Sequence, residues 1–173
     1  SLNLWHHRGD RRFRPIYEED FSDYLKNHFL DDLTSDIIIH REVVIDPSSR
    51  TDIFIDLINN ESNLEENRII SVIIEIKCSW HNELDTAMET QLCEQYMITR
   101  GYRYGMYLVG WFTSQYWDLS CNRYSETPGA YNSIEDLRNY LQIQAESLSN
   151  SGISIRSSVI DCSLNEIRTG TYR

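Results

Sequence analysis

Residues 71–80, SVIIEIKCSW, are the stretch that decides the fold. Their run of Val and Ile is typical of a strand that is covered on both faces of a sheet. Two charged residues, Glu75 and Lys77, interrupt this run. Because strand side chains two residues apart point to the same face, these two are predicted to stand side by side. A charge withdrawn from water is costly unless it is paired or binds a metal, so the stretch predicts an ion pair or a functional site.

A second acidic residue precedes this strand in the chain. Residues 50–58, RTDIFIDLI, are rich in Ile and Phe and predict another strand, with Asp52 near its start. The intervening segment 59–67, NNESNLEEN, is polar and typical of a turn. Two strands joined in this way are expected to pair antiparallel, which brings Asp52 beside Glu75.

The rest of the chain supplies helices and strands around this pair. Apolar residues recur at three- and four-residue steps in the helical segments, and Glu18, Glu19 and Asp20 fill the first turn of the first helix. The order α-β-β-β-α-β-α-β predicts an α/β fold in which helices flank a mixed central sheet. The predicted helices lie at 17–33, within 81–100 and at 133–148, and the further strands at 36–45, 104–112 and 153–162.

The bulk properties indicate one globular unit. With 173 residues, of which 40% are hydrophobic, the chain is long enough for one buried core and too short for two comfortable domains. We therefore expect a basic arm at 1–16 and a single domain at 17–173. No apolar run reaches membrane-spanning length, and the chain has neither an initiating Met nor a secretory signal. These features predict a cytoplasmic fragment of a longer protein.

The four cysteines are scattered and form no C-x-x-C pair. Cys78 and Cys93 fall inside apolar elements, so buried reduced thiols are expected rather than disulfides or a structural zinc site.

The charge balance argues against a general nucleic-acid binder. The net charge is -11, whereas affinity for phosphates comes largely from Lys and Arg. The first sixteen residues are an exception, since four arginines against one aspartate leave them at net +3. A bound metal also brings positive charge to its site. We expect a larger parent protein, or an assembled homo-oligomer, to supply the remaining affinity.

Asp52, Glu75 and Lys77 resemble the signature of the PD-(D/E)xK superfamily of restriction-endonuclease-like nucleases. The segments HREVVI, RTDIFI, EIKCSW, AMETQL and GMYLVGWF, in this order, resemble nuclease-like domains appended to large bacterial NTPases of anti-phage defence. The resemblance covers about residues 18 to 162, and its one plain departure is Thr51 in place of the namesake proline. It implies a restriction-endonuclease-like core and a metal-dependent endonuclease that acts on DNA rather than RNA.

The metal site follows from the residue types and from this resemblance. Two carboxylates within a few ångström of each other repel by about 4 kcal/mol at an effective dielectric near 20, a penalty that a divalent cation removes. Hard carboxylate oxygens favour Mg²⁺ or Mn²⁺ over zinc. The resemblance implies that Asp52, Glu75 and the main-chain carbonyl of Ile76 are the ligands. Lys77 would orient or help deprotonate the attacking water and stabilise charge on the phosphate.

Other positions have both a functional and an ordinary interpretation. Gln91 matches a glutamine that some exonuclease-like members place near the metal, but a solvated helix residue explains it equally well. Arg100 and Arg103 are candidate phosphate contacts, although exposed arginines are common in turns. An acid on the first helix reaches the metal site in several relatives, and Glu18 or Glu19 could do so, yet the helix dipole alone accounts for both. His81 lies just past Lys77 and could meet a substrate, although a loop histidine usually has no special role.

A second function remains open. Glu75 and Lys77 would then be a buried ion pair and Asp52 would cap a turn. The domain would be a catalytically inactive nuclease used to bind proteins or nucleic acid.

Overall fold

The chain adopts an α/β fold around one mixed sheet. The computed structural model describes residues 2–32, 37–46, 49–59, 68–126 and 131–165. The strands in these ranges are β1 (Trp5–His7), β2 (Phe13–Pro15), β3 (Ile37–Asp46), β4 (Ser49–Asn59), β5 (Arg68–Cys78), β6 (Tyr104–Trp111) and β7 (Ser154–Asp161). The helices are α1 (Glu18–Asp32), a π-helix (Met88–Ile98), α2 (Asn122–Glu126) and α3 (Ile134–Leu148).

The central sheet has the strand order β3-β4-β5-β6-β7, which makes β5 its middle strand. The first three strands pair antiparallel, whereas β5, β6 and β7 pair parallel. The prediction that the strands carrying Asp52 and Glu75 pair antiparallel is confirmed. β6 is an interior strand, and β7 lies at an edge of the sheet. The predicted order of helices and strands is also found from α1 onward, with α2 as a short addition.

Helices cover both faces of the sheet. On one face Phe21 and Leu25 of α1 pack with Ile53 and Ile74. On the other face the π-helix and α3 share a core with Ile73. Ser133 caps α3 as expected, since its hydroxyl accepts a hydrogen bond from the Asp136 amide at 3.1 Å. Among the described helices, none is both long and apolar enough to cross a lipid bilayer.

The helix after β5 is wider than its sequence predicts. The apolar stripe expected there is buried: Met88, Leu92 and Tyr96 lie four residues apart, as do Cys93 and Met97. The amide of Thr99, however, donates to the carbonyl of Glu94, five residues earlier. π-Helical turns are rare in proteins, and those that occur often lie at functional sites.

The N-terminal segment, for which the sequence indicates only a basic arm, forms a hairpin that contributes to the core. The Trp5 indole donates to the Cys162 carbonyl at 2.8 Å, and Trp5 and Phe13 are buried. The turn between β1 and β2 is left-handed at Gly9, Asp10 and Arg11. The hairpin therefore belongs to the same packed unit as the sheet.

Two glycines of β6 allow close packing, as expected from their places in an apolar strand. A Cβ at Gly105 would lie 2.5 Å from the Met97 sulfur, and one at Gly110 would lie 2.7 Å from the Phe21 ring. Each glycine thus lets a helix side chain approach the middle of the sheet.

Candidate functional site

The Glu75 and Lys77 side chains form an ion pair inside the protein. Both residues lie near the carboxyl end of β5 and both are buried. The Lys77 ammonium donates to Glu75 Oε1 at 2.7 Å. The prediction that these charges stand side by side is therefore confirmed. An ion pair at this distance is compatible with both interpretations that the sequence leaves open, a catalytic site and a structural ion pair.

Glu18 adds a second carboxylate to this pair. Helix α1 begins at the end of β5, where Glu18 Oε2 accepts a hydrogen bond from the Cys78 amide at 2.9 Å. Its other oxygen, Oε1, lies 3.6 Å from the Lys77 ammonium. The helix dipole is enough to explain why Glu19 and Asp20, which are exposed, lie in the first turn of α1. It does not explain these contacts of Glu18. The sequence signal was the acidic first turn, which does not reveal which of its three acids faces inward.

His81 lies on the outer side of Glu18. Its Nε2 is 3.9 Å from Glu18 Oε1, and its Nδ1 accepts a hydrogen bond from the Glu83 amide at 3.1 Å. The imidazole is partly exposed, unlike Glu75 and Lys77. Glu75, Lys77, Glu18 and His81 therefore form a row from the core toward solvent, which we call the β5-end cluster.

The segment that leads into Glu18 is held by a buried arginine. Arg123 of α2 donates to the carbonyls of Pro15 and Ile16 at 3.0 and 3.2 Å. Its guanidinium also lies 4.3 Å from the centroid of the Tyr17 ring. Arg123 thus fixes the entry of α1, and with it Glu18, although the polar segment that carries it gives no such indication in the sequence.

The charge of the cluster acts on its neighbours. Tyr107 is the β6 residue paired with Glu75, and burial, followed by the charges of Glu75 and Glu18, raises the pKa of its phenol. Its hydroxyl donates to the Leu84 carbonyl at 2.8 Å. Burial, and next Glu18, likewise raises the pKa of the Cys78 thiol well above its usual value. Raised pKa values favour the neutral phenol and thiol over their anions, and burial also makes the Cys78 thiol less reactive.

The backbone places Asp52 close to this cluster. Asp52 directly precedes Ile53 on β4, and Ile53 pairs with Ile74, the residue before Glu75. The Asp52 side chain lies outside the part of the chain that the structure describes. No group of three or more His, Cys, Asp or Glu side chains suited to a metal is found among the described residues. The ligand set of Asp52, Glu75 and the Ile76 carbonyl therefore stays a prediction.

Gln91 is directed to another partner. Its side-chain amide donates to Glu83 Oε2 at 2.9 Å, on the turn that carries His81. This bond joins the π-helix to that turn rather than to Glu75 or Lys77. A catalytic role for Gln91 stays a prediction, and its described contact supports the position of Glu83.

Arg100 and Arg103 lie toward the opposite end of the strands. Arg103 comes four residues before Tyr107, the partner of Glu75, which corresponds to about 13 Å along β6. Both arginines are exposed. A phosphate that they contact would therefore belong to a part of the substrate remote from the β5-end cluster.

Comparison of the chain with protein-family models, with curated proteins and with solved structures gives no match.

Proposed function

We propose that this chain is a metal-dependent nuclease domain with a restriction-endonuclease-like core, which hydrolyses phosphodiester bonds, of DNA rather than RNA, in a cytoplasmic bacterial defence protein. The observation that carries the proposal is the buried pair of Glu75 and Lys77 at the end of the middle strand, 2.7 Å apart. The antiparallel neighbour of that strand carries Asp52 one residue beyond the Ile53–Ile74 pair. These are the three residue types of the nuclease signature, and their position on two neighbouring antiparallel strands supports the proposal.

The donor set suits a hard divalent cation. Carboxylate oxygens of Asp52 and Glu75 and the carbonyl of Ile76 are ligands of the type preferred by Mg²⁺ and Mn²⁺. When bound, such an ion lowers the pKa of a water and neutralises charge on the phosphate. The acidity of the cluster agrees with this need, because Glu18 and Glu75 outnumber the one lysine.

Lys77 would act on the reacting phosphate. Its ammonium is compact, is held by Glu75, and is nearly excluded from water. A fixed cation in such surroundings stabilises negative charge more strongly than it would in water. It would orient the attacking water and stabilise the charge on the pentavalent phosphorus centre during in-line displacement.

The test is cleavage by purified protein. Plasmid, linear duplex, single-stranded DNA and RNA are each incubated with the purified chain in Mg²⁺, Mn²⁺ or EDTA. We expect metal-dependent cutting that falls roughly 10²- to 10³-fold in Lys77→Ala and in Asp52→Ala. The matched controls are Lys26→Ala, the chain's other lysine, and Asp56→Ala on the same strand as Asp52. Equal cutting by all four variants would identify a contaminating nuclease.

The alternative function also has an observation in its favour. The Lys77 ammonium donates to Glu75 Oε1 at 2.7 Å, as it would in a purely structural pair. In that case the domain is an inactive nuclease that binds proteins or nucleic acid. This alternative predicts that the protein cuts none of the substrates in either metal. It also predicts a binding partner that still binds the Lys77→Ala variant.

A further inference from the structure

His81 is the group of the β5-end cluster that a molecule arriving from solvent meets first. Its side chain is 25% exposed, compared with 17% for Glu18, 7% for Lys77 and 3% for Glu75. His81 also follows the strand end closely, so it lies next to the place where the proposed function puts the reacting phosphate. Access and position together make His81 a candidate for contact with the substrate.

The Glu83 amide determines which ring nitrogen of His81 carries hydrogen. A backbone N–H only donates, so the bond from Glu83 requires a lone pair on Nδ1. In the neutral imidazole the hydrogen is then on Nε2. This nitrogen faces the cluster, since it lies 3.9 Å from Glu18 Oε1. The ring therefore presents a hydrogen-bond donor, rather than an acceptor, toward the β5-end cluster.

Both the ring and the turn that carries it are held in place. The His81 amide donates to the Cys78 carbonyl, and the Leu84 amide donates to the His81 carbonyl. Gln91 of the π-helix anchors Glu83, whose amide orients the ring. A donor fixed in this way loses little conformational freedom when it binds an acceptor.

We propose that His81 donates its Nε2–H to a non-bridging phosphate oxygen of the phosphodiester substrate. This inference rests on the proposed function and adds a substrate-binding residue to it. No proton is transferred, because the neutral imidazole only shares its N–H. The donor offsets part of the repulsion between the phosphate and the Glu18 carboxylate. Gln91 and Glu83 are positioning residues for this contact, which gives the described contact of Gln91 a role.

The first test reads the ring directly by NMR. In the full chain labelled with ¹⁵N-histidine, we expect the Nε2–H form of His81 at neutral pH. Adding a thymidine oligonucleotide to the Lys77→Met protein in Mg²⁺ should shift the His81 Nε2 signal more than that of His28, an exposed histidine on α1. An Nδ1–H form, or a His81 shift no larger than that of His28, would overturn the proposal.

The second test measures binding without turnover, again in the Lys77→Met protein. His81→Phe should weaken oligonucleotide binding about tenfold, the effect of one hydrogen bond to a charged group. His81→Gln retains an N–H donor and should recover part of this loss, whereas His28→Phe should leave binding unchanged. Equal binding by His81→Phe and its parent, with both folded by circular dichroism, contradicts the proposal. If the chain cuts no substrate but the His81 variants change oligonucleotide binding as expected, only the nuclease function is refuted.

Discussion

Two regions of the molecule each hold a carboxylate against a cation, and they differ in what the contact joins. At the β5-end cluster, Lys77 and Glu75 lie 2.7 Å apart and only two positions apart on one strand. On the N-terminal hairpin, Arg14 donates to Asp118 at 2.8 Å across 104 positions of the chain. The second pair connects β2 to the loop after β6. The first connects a strand to itself.

The surroundings of the Asp118 carboxylate also differ from those of Glu75. Asp118 accepts further hydrogen bonds from the amide and the hydroxyl of Ser120, at 3.1 and 2.7 Å. These bonds, first from Ser120 and then from Arg14, lower the pKa of Asp118 to about 2. Asp118 is thus the centre of a complete local network that tethers the hairpin. Its structural role accounts for its charge.

The contact within the pair on β5 is local, since Glu75 and Lys77 are two residues apart on one strand. Its described tertiary connection is the approach of Lys77 to Glu18 of α1, at 3.6 Å. Apolar side chains of similar size often stabilise a protein as well as a buried ion pair does, or better. Yet the chain withdraws both charges from water in the middle of its sheet and brings Glu18 up to them. Charged groups that are buried beside one another are frequent at functional sites, and structural ion pairs share this feature. This difference between the two regions is the reason for proposing chemistry at β5 and a structural role at the hairpin.

The largest expected effect comes from removing one charge of the β5 pair. Lys77→Met leaves Glu75 buried without its cation, and we expect the free energy of unfolding to fall by about 3 kcal/mol. Glu75→Gln combined with Lys77→Met should regain most of this loss, because the most deeply buried charge is removed together with its cation and the remaining carboxylate, Glu18, is more exposed. Urea denaturation at pH 7 measures both values.

The double variant also separates stability from activity. If β5 carries a catalytic site, the double variant should be nearly as stable as the parent protein and still inactive in the cleavage assay. Lys26→Met is the control for loss of a lysine elsewhere. A Lys77→Met protein as stable as the parent would show that Glu75 does not depend on Lys77.

A smaller and pH-dependent effect is expected at the hairpin. Because the pKa of Asp118 is lowered from 3.8 to about 2 in the folded state, its carboxylate adds stability above about pH 4 that is lost as the pH falls toward 2. The stability difference between the parent protein and Asp118→Asn should therefore be constant near neutral pH and shrink between about pH 4 and pH 2. Urea midpoints across this range test it. Cleavage at pH 7 should be unchanged.

A constant difference down to pH 2 would contradict the assigned cause, because it would mean that Asp118 titrates alike in the folded and unfolded chains. Ser120→Ala is the companion variant. It removes the hydroxyl bond to Asp118 but keeps the amide bond and Arg14, so it should reproduce part of the pH dependence.

The contrast between the regions also explains how far the sequence could be interpreted. The contact of Glu75 with Lys77 depends only on strand alternation, so a local pattern predicts it. The contact of Arg14 with Asp118 depends on how distant segments fold together, and no local pattern contains that information. Three-residue strands such as β1 and β2 are likewise too short for a period to emerge, which is why the hairpin was expected to be an arm.

Other sequence predictions were incomplete, and the physical reason can be named for each. The apolar stripe of residues 88–97 predicts a helix correctly, but steps of four residues fit an α-helix and a π-helix alike until the hydrogen bonds are known. Glu18 is one of three adjacent acids, and only the docking of α1 against β5 selects it. The chemistry predicted for Asp52 depends on its side chain, which the backbone register alone does not orient.

The smallest effect is expected where a charge pair has neither burial nor a network. Arg12 and Asp10 approach to 3.5 Å in the hairpin turn, with side chains 54% and 90% exposed. Water and salt screen such a pair, so Arg12→Gln should change the free energy of unfolding by less than about 0.5 kcal/mol. Urea denaturation in low and in high salt should give the same small difference. A loss comparable to that of Lys77→Met would mean that closeness of charge alone stabilises this protein, and burial would then no longer distinguish the β5-end cluster from its surface.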